Sequence, residues 1–282
     1  MSSNKRSILF LKGMAMGISD LIPGISGGTI ALLLGIYRDF IKSLKSINYK
    51  SILYLVRFDF KKLNDQLNFS FLIPVFLGIL SSIFIFSSLI SFLLLDYKVP
   101  LFSFFFGLIF FSSIRLISSI KPNSILDFVT IILGLVIGLS FFFISSLSTS
   151  NSIFSIFLAG FIAISAMLLP GISGSYILLI LGKYEFMLDS ISSLNWINIF
   201  VFSLGAIVGI LSFSKMIYFL LNNYYRTTLF FLSGLMMGAL NKVWPWEANN
   251  HIVLPQGDII DVSLSVLIFI FSGIVSYYLK SK

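Results

Sequence analysis

Residues 22–37 read IPGISGGTIALLLGIY, and residues 169–184 read LPGISGSYILLILGKY. At a constant offset of 147 residues, Pro23 aligns with Pro170, Gly24 with Gly171, Ser26 with Ser173, Gly27 with Gly174, Gly35 with Gly182 and Tyr37 with Tyr184. Proline and glycine interrupt a helix, and each apolar arm around the break is about fourteen residues long, against the ~20 that a spanning helix needs. A segment of this kind enters and leaves a membrane on one side as a re-entrant hairpin. Two broken helices at matching places in two halves of a membrane protein point to a transporter's binding site.

Composition agrees. The 282 residues are 57% hydrophobic and 11% charged, with a mean hydropathy of +1.02, and apolar runs of spanning length recur. The net charge of +8 does not indicate nucleic acid, because the basic residues stand at the ends of apolar spans, where they set topology. With no cysteine and a single histidine, His251 in a polar stretch, thiol chemistry and histidine metal centres are excluded, and no cofactor is expected. Lys5 and Arg6 before an apolar stretch imitate a signal peptide. That stretch, however, runs into Asp20 and the Pro-Gly break, and a similar unit recurs mid-chain.

A second echo sets residues 229–243 (LFFLSGLMMGALNKV) on residues 102–116 (FSFFFGLIFFSSIRL), placing Gly234 on Gly107 and Lys242 on Arg115. The expected architecture is therefore an all-α integral membrane protein of two repeats, 1–146 and 147–282. The first holds a hairpin at 8–37, a basic cytoplasmic loop at 38–68 and three helices within 69–145 (69–95, 99–120 and 125–145). The second holds a hairpin at 153–184 and three helices within 196–279 (196–221, 227–243 and 259–279). Three crossings are an odd number, so the second repeat is inverted relative to the first.

The charges test this. With the N-terminus in the cytoplasm, sixteen of the nineteen Lys and Arg residues fall inside: Lys5, Arg6, Lys12, Arg38, Lys42, Lys45, Lys50, Arg57, Lys61, Lys62, Arg115, Lys121, Lys215, Arg226, Lys280 and Lys282. Lys98, Lys183 and Lys242 fall outside, a strong positive-inside bias with both termini cytoplasmic. Trp244-Pro245-Trp246 then marks the outer interface. The 38–68 segment reads as a topology-setting basic loop, with an interfacial helix on anionic lipid as the alternative.

Chemically, the break is an anion site. Gly24, Gly27 and Gly28 permit tight turns and close backbone approach. Ser26 and Thr29 cap the following helix and offer hydroxyls. Its first N–H groups and positive dipole end suit a phosphate, although a carboxylate or chloride suits the same donors. The set recurs at Pro170, Gly171, Ser173, Gly174 and Ser175. Non-helical backbone at membrane depth must be satisfied by protein or water, so the two breaks are expected to face each other across a polar cavity. Asp20 either carries a coupling ion or caps the broken helix. Its repeat partner is Met167. Arg115 and Lys242 either attract phosphate from the inner and outer sides or snorkel to lipid head groups.

The stretches GMAMGISDLIPGISGGTIALLLGIY (13–37) and AISAMLLPGISGSYILLILGKYEF (163–186) resemble the paired signatures of the PopT family of polyprenyl-phosphate transporters, over nearly the whole chain. The resemblance implies a flippase that returns undecaprenyl phosphate from the outer to the inner leaflet of the bacterial cytoplasmic membrane for envelope polymer synthesis. It implies a site lined by Asp20, Pro23, Gly24, Ser26, Gly27, Gly28 and Thr29 with Pro170, Gly171, Ser173, Gly174 and Ser175. The mechanism expected here holds the head group between the hairpins by backbone N–H groups and by Ser26, Thr29, Ser173 and Ser175 and leaves the tail in lipid; coupling to a proton or sodium gradient would make it directional, with Asp20 as the candidate carrier. Lipid-pyrophosphate phosphatases also carry a Pro-Gly-x-Ser phrase, but theirs continues with arginine where Gly27 and Gly174 stand here, and their Glu-rich partner motif is absent. The expectation is therefore not an enzyme. A transporter or channel for small anions remains open on the residues alone.

Overall fold

The computed structural model describes residues 3–144, 147, 149–248 and 251–279. Ser145, at the expected end of the third helix, and Lys280 and Lys282 lie outside the described residues. The chain is an all-α membrane protein, apart from a two-residue antiparallel ladder pairing Glu247–Ala248 with His251–Ile252. The first half comprises α1 (Ser3–Asp20), α2 (Gly27–Leu33), α3 (Tyr37–Lys45), α4 (Tyr49–Val56), α5 (Phe60–Leu67), α6 (Phe69–Asp96), α7 (Lys98–Ile120) and α8 (Ile125–Phe143). The second comprises α9 (Ile153–Met167), α10 (Gly174–Ile180), α11 (Tyr184–Ser192), α12 (Trp196–Asn223), α13 (Tyr225–Gly238), a 3₁₀ helix (Ala239–Val243) and α14 (Ile259–Tyr278).

Helices α6, α7, α12 and α14 are each long and apolar enough to cross a membrane. At 1.5 Å per residue, α8 reaches about 29 Å, and α13 with its 3₁₀ continuation about 31 Å. Both match a hydrocarbon core of roughly 30 Å. Exposed Phe84, Ile132, Phe200 and Leu267 lie on these helices, as a lipid-facing surface requires.

Two expectations need amendment. The outgoing arm of each hairpin is shorter than its apolar run, because Gly35 (φ 70°) and Gly182 (φ 61°) adopt the left-handed conformation that ends a helix. The 38–68 segment is not a loop but α3, α4 and α5. Asn48 and Ser51 form a capping box at α4, and the Asp59 carboxylate accepts the Lys62 N–H at α5. Neither α4 nor α5 has a counterpart in the second half. The offset between the halves accordingly drops from 147 residues at the hairpins to 127 at Gly107 and Gly234.

Helix pairing repeats between the halves. The ingoing hairpin helix packs on the first long helix of its own half, α1 on α6 and α9 on α12. The remaining helices exchange, with α7 packing on α14 and α13 on α8. Glycines set the spacing, as is usual where lipid supplies no hydrophobic drive between helices. A methyl at Gly78 would lie 2.1 Å from the Phe10 carbonyl oxygen, and one at Gly205 would lie 2.0 Å from that of Phe157. Both obstacles are backbone and cannot rotate away. Gly78→Ala and Gly205→Ala are each expected to cost about 1–3 kcal/mol, read as a lower thermal unfolding midpoint in detergent. Unchanged midpoints would mean that the helix pairs do not need this close approach.

The interface of α8 and α13 is also pinned by charge. Arg226 Nη2 and Nε donate to Asp127 Oδ2 at 2.9 and 3.1 Å, with the Asp127 side chain buried. Asp127 looks in sequence like a simple helix-end residue. It does cap α8, in a box with Ser124, and only the fold shows that it also reaches the other half.

Candidate functional site

The two breaks touch. Thr29 on α2 accepts the Gly171 N–H at 2.7 Å, Ser26 donates to the Met167 carbonyl at 3.3 Å, and Tyr37 donates to the Leu168 carbonyl at 2.8 Å. Ser26, Thr29 and Tyr37 are buried. The expected open space between the breaks is instead a seam of hydrogen bonds. Backbone polar groups at membrane depth need partners, and the side chains of Ser26, Thr29 and Tyr37 supply them to the second hairpin. Thr29→Val would leave the Gly171 N–H unpaired at almost unchanged volume, at an expected cost of about 1–3 kcal/mol. Thermal unfolding checks this, and a wild-type midpoint would show that the seam does not hold the hairpins.

The α2 N-terminus is already occupied. Asp20 Oδ1 accepts the Gly27 N–H at 2.6 Å, and Ser26 Oγ accepts the Gly28 N–H at 3.1 Å. A methyl on Gly27 would lie 2.5 Å from Asp20 Oδ2, so glycine is what lets the carboxylate close over the helix end. Asp20 thus supplies the negative charge that the dipole favours there. The α10 N-terminus differs. Met167 stands in the place of Asp20, and the N-cap Ser173 side chain accepts no backbone N–H of α10, its hydroxyl bonding instead to that of Ser175 at 2.8 Å. Lys12 donates to the Leu34 carbonyl at 2.7 Å, placing a positive charge at the C-terminal end of α2.

Beside the seam lies a cavity of about 830 Å³, lined by Pro23 and Gly24 of the first motif, Tyr176 and Leu179 of α10, and Asn241, Lys242, Lys98 and Glu247. A small pocket of about 10 Å³ adjoins it, sharing Gly24, Tyr176 and Lys242 and adding Gly171, Ile172 and Ser173 of the second motif. Lys242 joins the two spaces. Its Nζ donates to the Tyr176 hydroxyl and lies 3.9 Å from that ring's centroid. A methyl at Gly24 (φ 86°) would meet the Lys242 carbonyl oxygen at 3.0 Å, so the glycine admits the 3₁₀ helix that carries Lys242. At the rim, Lys98 and Glu247 pair at 3.7 Å.

The predicted residues thus sort into groups. Pro23, Gly24, Gly171, Ser173 and Lys242 line the two spaces. Ser26, Gly27, Gly28 and Thr29 form the seam and the α2 cap. Pro170 is buried, Gly174 packs toward the Ala163 carbonyl, and Ser175 is exposed. Arg115 stands apart. Its Nη1 donates to the Ser276 and Tyr277 carbonyls of α14 at 2.6 and 2.7 Å. With Leu32, Leu33, Ser112 and Ser276 it lines a separate cavity of about 220 Å³. Sequence reasoning did not find Tyr176, Asn241, Lys98 or Glu247. Only Tyr176 carried a signal, lying inside the second motif at the position of Thr29.

Helices of spanning length, two hairpins broken at their meeting point and a lysine at a cavity beside the break define a membrane transport protein. The chain belongs to the undecaprenyl phosphate translocase-like family, whose model matches residues 16–259. A Vibrio cholerae protein named polyprenyl-phosphate transporter is 38% identical over 238 residues, covering 84% of this chain and 77% of its own. A Staphylococcus aureus protein of the same name is 35% identical over 288 residues, covering 95% and 94%. No solved structure matches the chain.

Proposed function

We propose that this chain carries undecaprenyl phosphate from the outer to the inner leaflet of a bacterial cytoplasmic membrane. The phosphate head passes beside the two hairpins while the prenyl tail stays in lipid. Family membership and the names of both relatives support the substrate class. The observation that carries the site is the convergence of Gly24, Ser173, Tyr176 and Lys242 on adjoining spaces. A lysine beside polar hydroxyls and backbone suits a phosphate monoester.

Residues 1–146 and 147–282 act as inverted repeats. The odd number of crossings, the charge asymmetry and the exchanged packing of α7 on α14 and α13 on α8 support this reading. Both termini are then cytoplasmic, and the Lys242 end faces outward. Lys242 and Leu179 in the 830 Å³ cavity correspond by repeat to Arg115 and Leu32 in the 220 Å³ cavity. The larger space is the outward station and the smaller one its closed inward counterpart. Rocking of the two repeats exchanges them, and Arg115, now held by the α14 carbonyls, meets the phosphate on the inner side. Asp20 carries the coupling proton or sodium ion.

The test is transport in proteoliposomes, with a fluorescent prenyl phosphate in both leaflets and a membrane-impermeant quencher outside. The protein is expected to expose the inner-leaflet pool to the quencher, and millimolar inorganic phosphate is expected not to compete. No acceleration over protein-free vesicles would overturn the reading. Competition by inorganic phosphate would favour a small-anion carrier, and release of phosphate from prenyl pyrophosphate would favour an enzyme.

A further inference from the structure

The segment from α3 to α5 is a built platform. Gln66 Nε2 lies 2.9 Å from the Ser46 carbonyl, 2.9 Å from Asn48 Oδ1 and 2.8 Å from Ser51 Oγ, tying α5 to both ends of the α3–α4 connection. Yet this locked platform presents Tyr49 (73% exposed), Leu55, Val56, Phe58 (76%) and Phe60 outward. Exposed apolar side chains on helices fixed in place by polar bonds mark an interaction surface. Lys50, Arg57, Lys61 and Lys62 are exposed on the same segment. Asp59 pairs with Lys62 at 2.8 Å, and Asp65 is the other acid on these two helices, so positive charge prevails.

Where α5 meets α6 and the start of α1, a crevice of about 390 Å³ opens, lined by Arg6, Phe60, Asn64, Phe69, Ser70, Ile73 and Pro74. Arg6 is exposed and makes no ion pair among the described residues. Pro74 has no N–H, so the Ser70 carbonyl one turn earlier loses its helical donor and is left to accept from a ligand hydroxyl. From this crevice Ile73, Leu77, Leu80 and Phe84 continue along one exposed stripe of α6. Cation, polar groups and an apolar stripe leading away along a spanning helix match a phosphate head group followed by its acyl chains.

We infer that the α4–α5 platform lies in the membrane interface, and that the Arg6 crevice binds one anionic phospholipid, its phosphate at the guanidinium and its chains along α6. On the topology proposed above the leaflet is the cytoplasmic one, but the site stands whichever way the protein is inserted. It fixes the entry of α1, the helix whose far end carries Asp20.

The experiment uses the full-length protein in detergent without prenyl phosphate, so its outcome is independent of the head-group site. Native mass spectrometry counts retained lipid after titration with phosphatidylglycerol or phosphatidylcholine. Wild type is expected to retain one phosphatidylglycerol about tenfold more tightly than phosphatidylcholine, whose phosphate charge is offset by choline and whose head group lacks a hydroxyl for the Ser70 carbonyl. Arg6→Gln is expected to lose that preference, Arg6→Lys to keep most of it, and Lys215→Gln, which removes a cation elsewhere on the proposed cytoplasmic side, to leave it intact. Equal retention of both lipids by wild type, or an undiminished preference in a monodisperse Arg6→Gln protein, would overturn the inference.

Discussion

Lys242→Gln is expected to lower prenyl-phosphate transport by about 10- to 100-fold, with Lys242→Arg recovering most of the rate. The lysine is the cation that lines both spaces beside the two motifs, and its Nζ donates to the Tyr176 hydroxyl. A hydrogen bond to a charged group contributes about 1.5–3 kcal/mol, which at 1.4 kcal/mol per decade gives the range stated. Glutamine retains a donor, one bond shorter and without the charge, and recovery in Lys242→Arg ties the loss to that charge. Proteoliposome transport measures it, with size-exclusion elution as the folding check. A Lys242→Gln protein that elutes like wild type and transports at the wild-type rate would show that the head group is held elsewhere. Because Lys242 stands over the Tyr176 ring, Tyr176→Phe leaves the cation in place and should change transport much less.

Asp20→Asn is expected to fold normally and to lose ion-dependent transport, falling at least tenfold below wild type. The two isosteres share the acceptor that caps α2, so asparagine keeps the Gly27 N–H satisfied. They differ in charge, and with it in whether the group can take up and release a cation. Asp20→Ala removes the cap as well and should lower stability by about 1–3 kcal/mol in addition. Transport is compared with and without imposed proton and sodium gradients, alongside thermal unfolding of both variants. Wild-type rate and ion dependence in Asp20→Asn would confine Asp20 to capping. The carboxylate in this position also deters a second anion from the α2 N-terminus, in keeping with the proposal that the phosphate is met at Lys242.

Much of this was legible in one dimension. The two Pro-Gly-Ile-Ser-Gly phrases marked both breaks, Gly35 and Gly182 are the turns at which α2 and α10 end, and the echo of Arg115 in Lys242 located both cavities. These signals are local, since a missing N–H or a left-handed glycine acts on its own few residues. The helicity of 38–68 was obscured because three short helices, two of them started by their own side-chain caps, do not sustain one period for long. Asp127 was undervalued because its partner Arg226 lies 99 positions away.

By itself the sequence determined that the chain lives in a membrane, that it breaks twice at equivalent points, and which residues stand at the breaks. Hydropathy and backbone permissiveness are properties of each residue and need no neighbour. Only the tertiary structure decided that the two breaks bond to each other, that Asp20 fills one helix end while Met167 stands at the other, and that Lys242 and Ser173 line the spaces while Ser26 is taken up in the seam. Those outcomes depend on which unsatisfied polar group meets which other at a distance of a few ångströms, and that is set by how glycine-spaced helices pack, not by the order of residues along the chain.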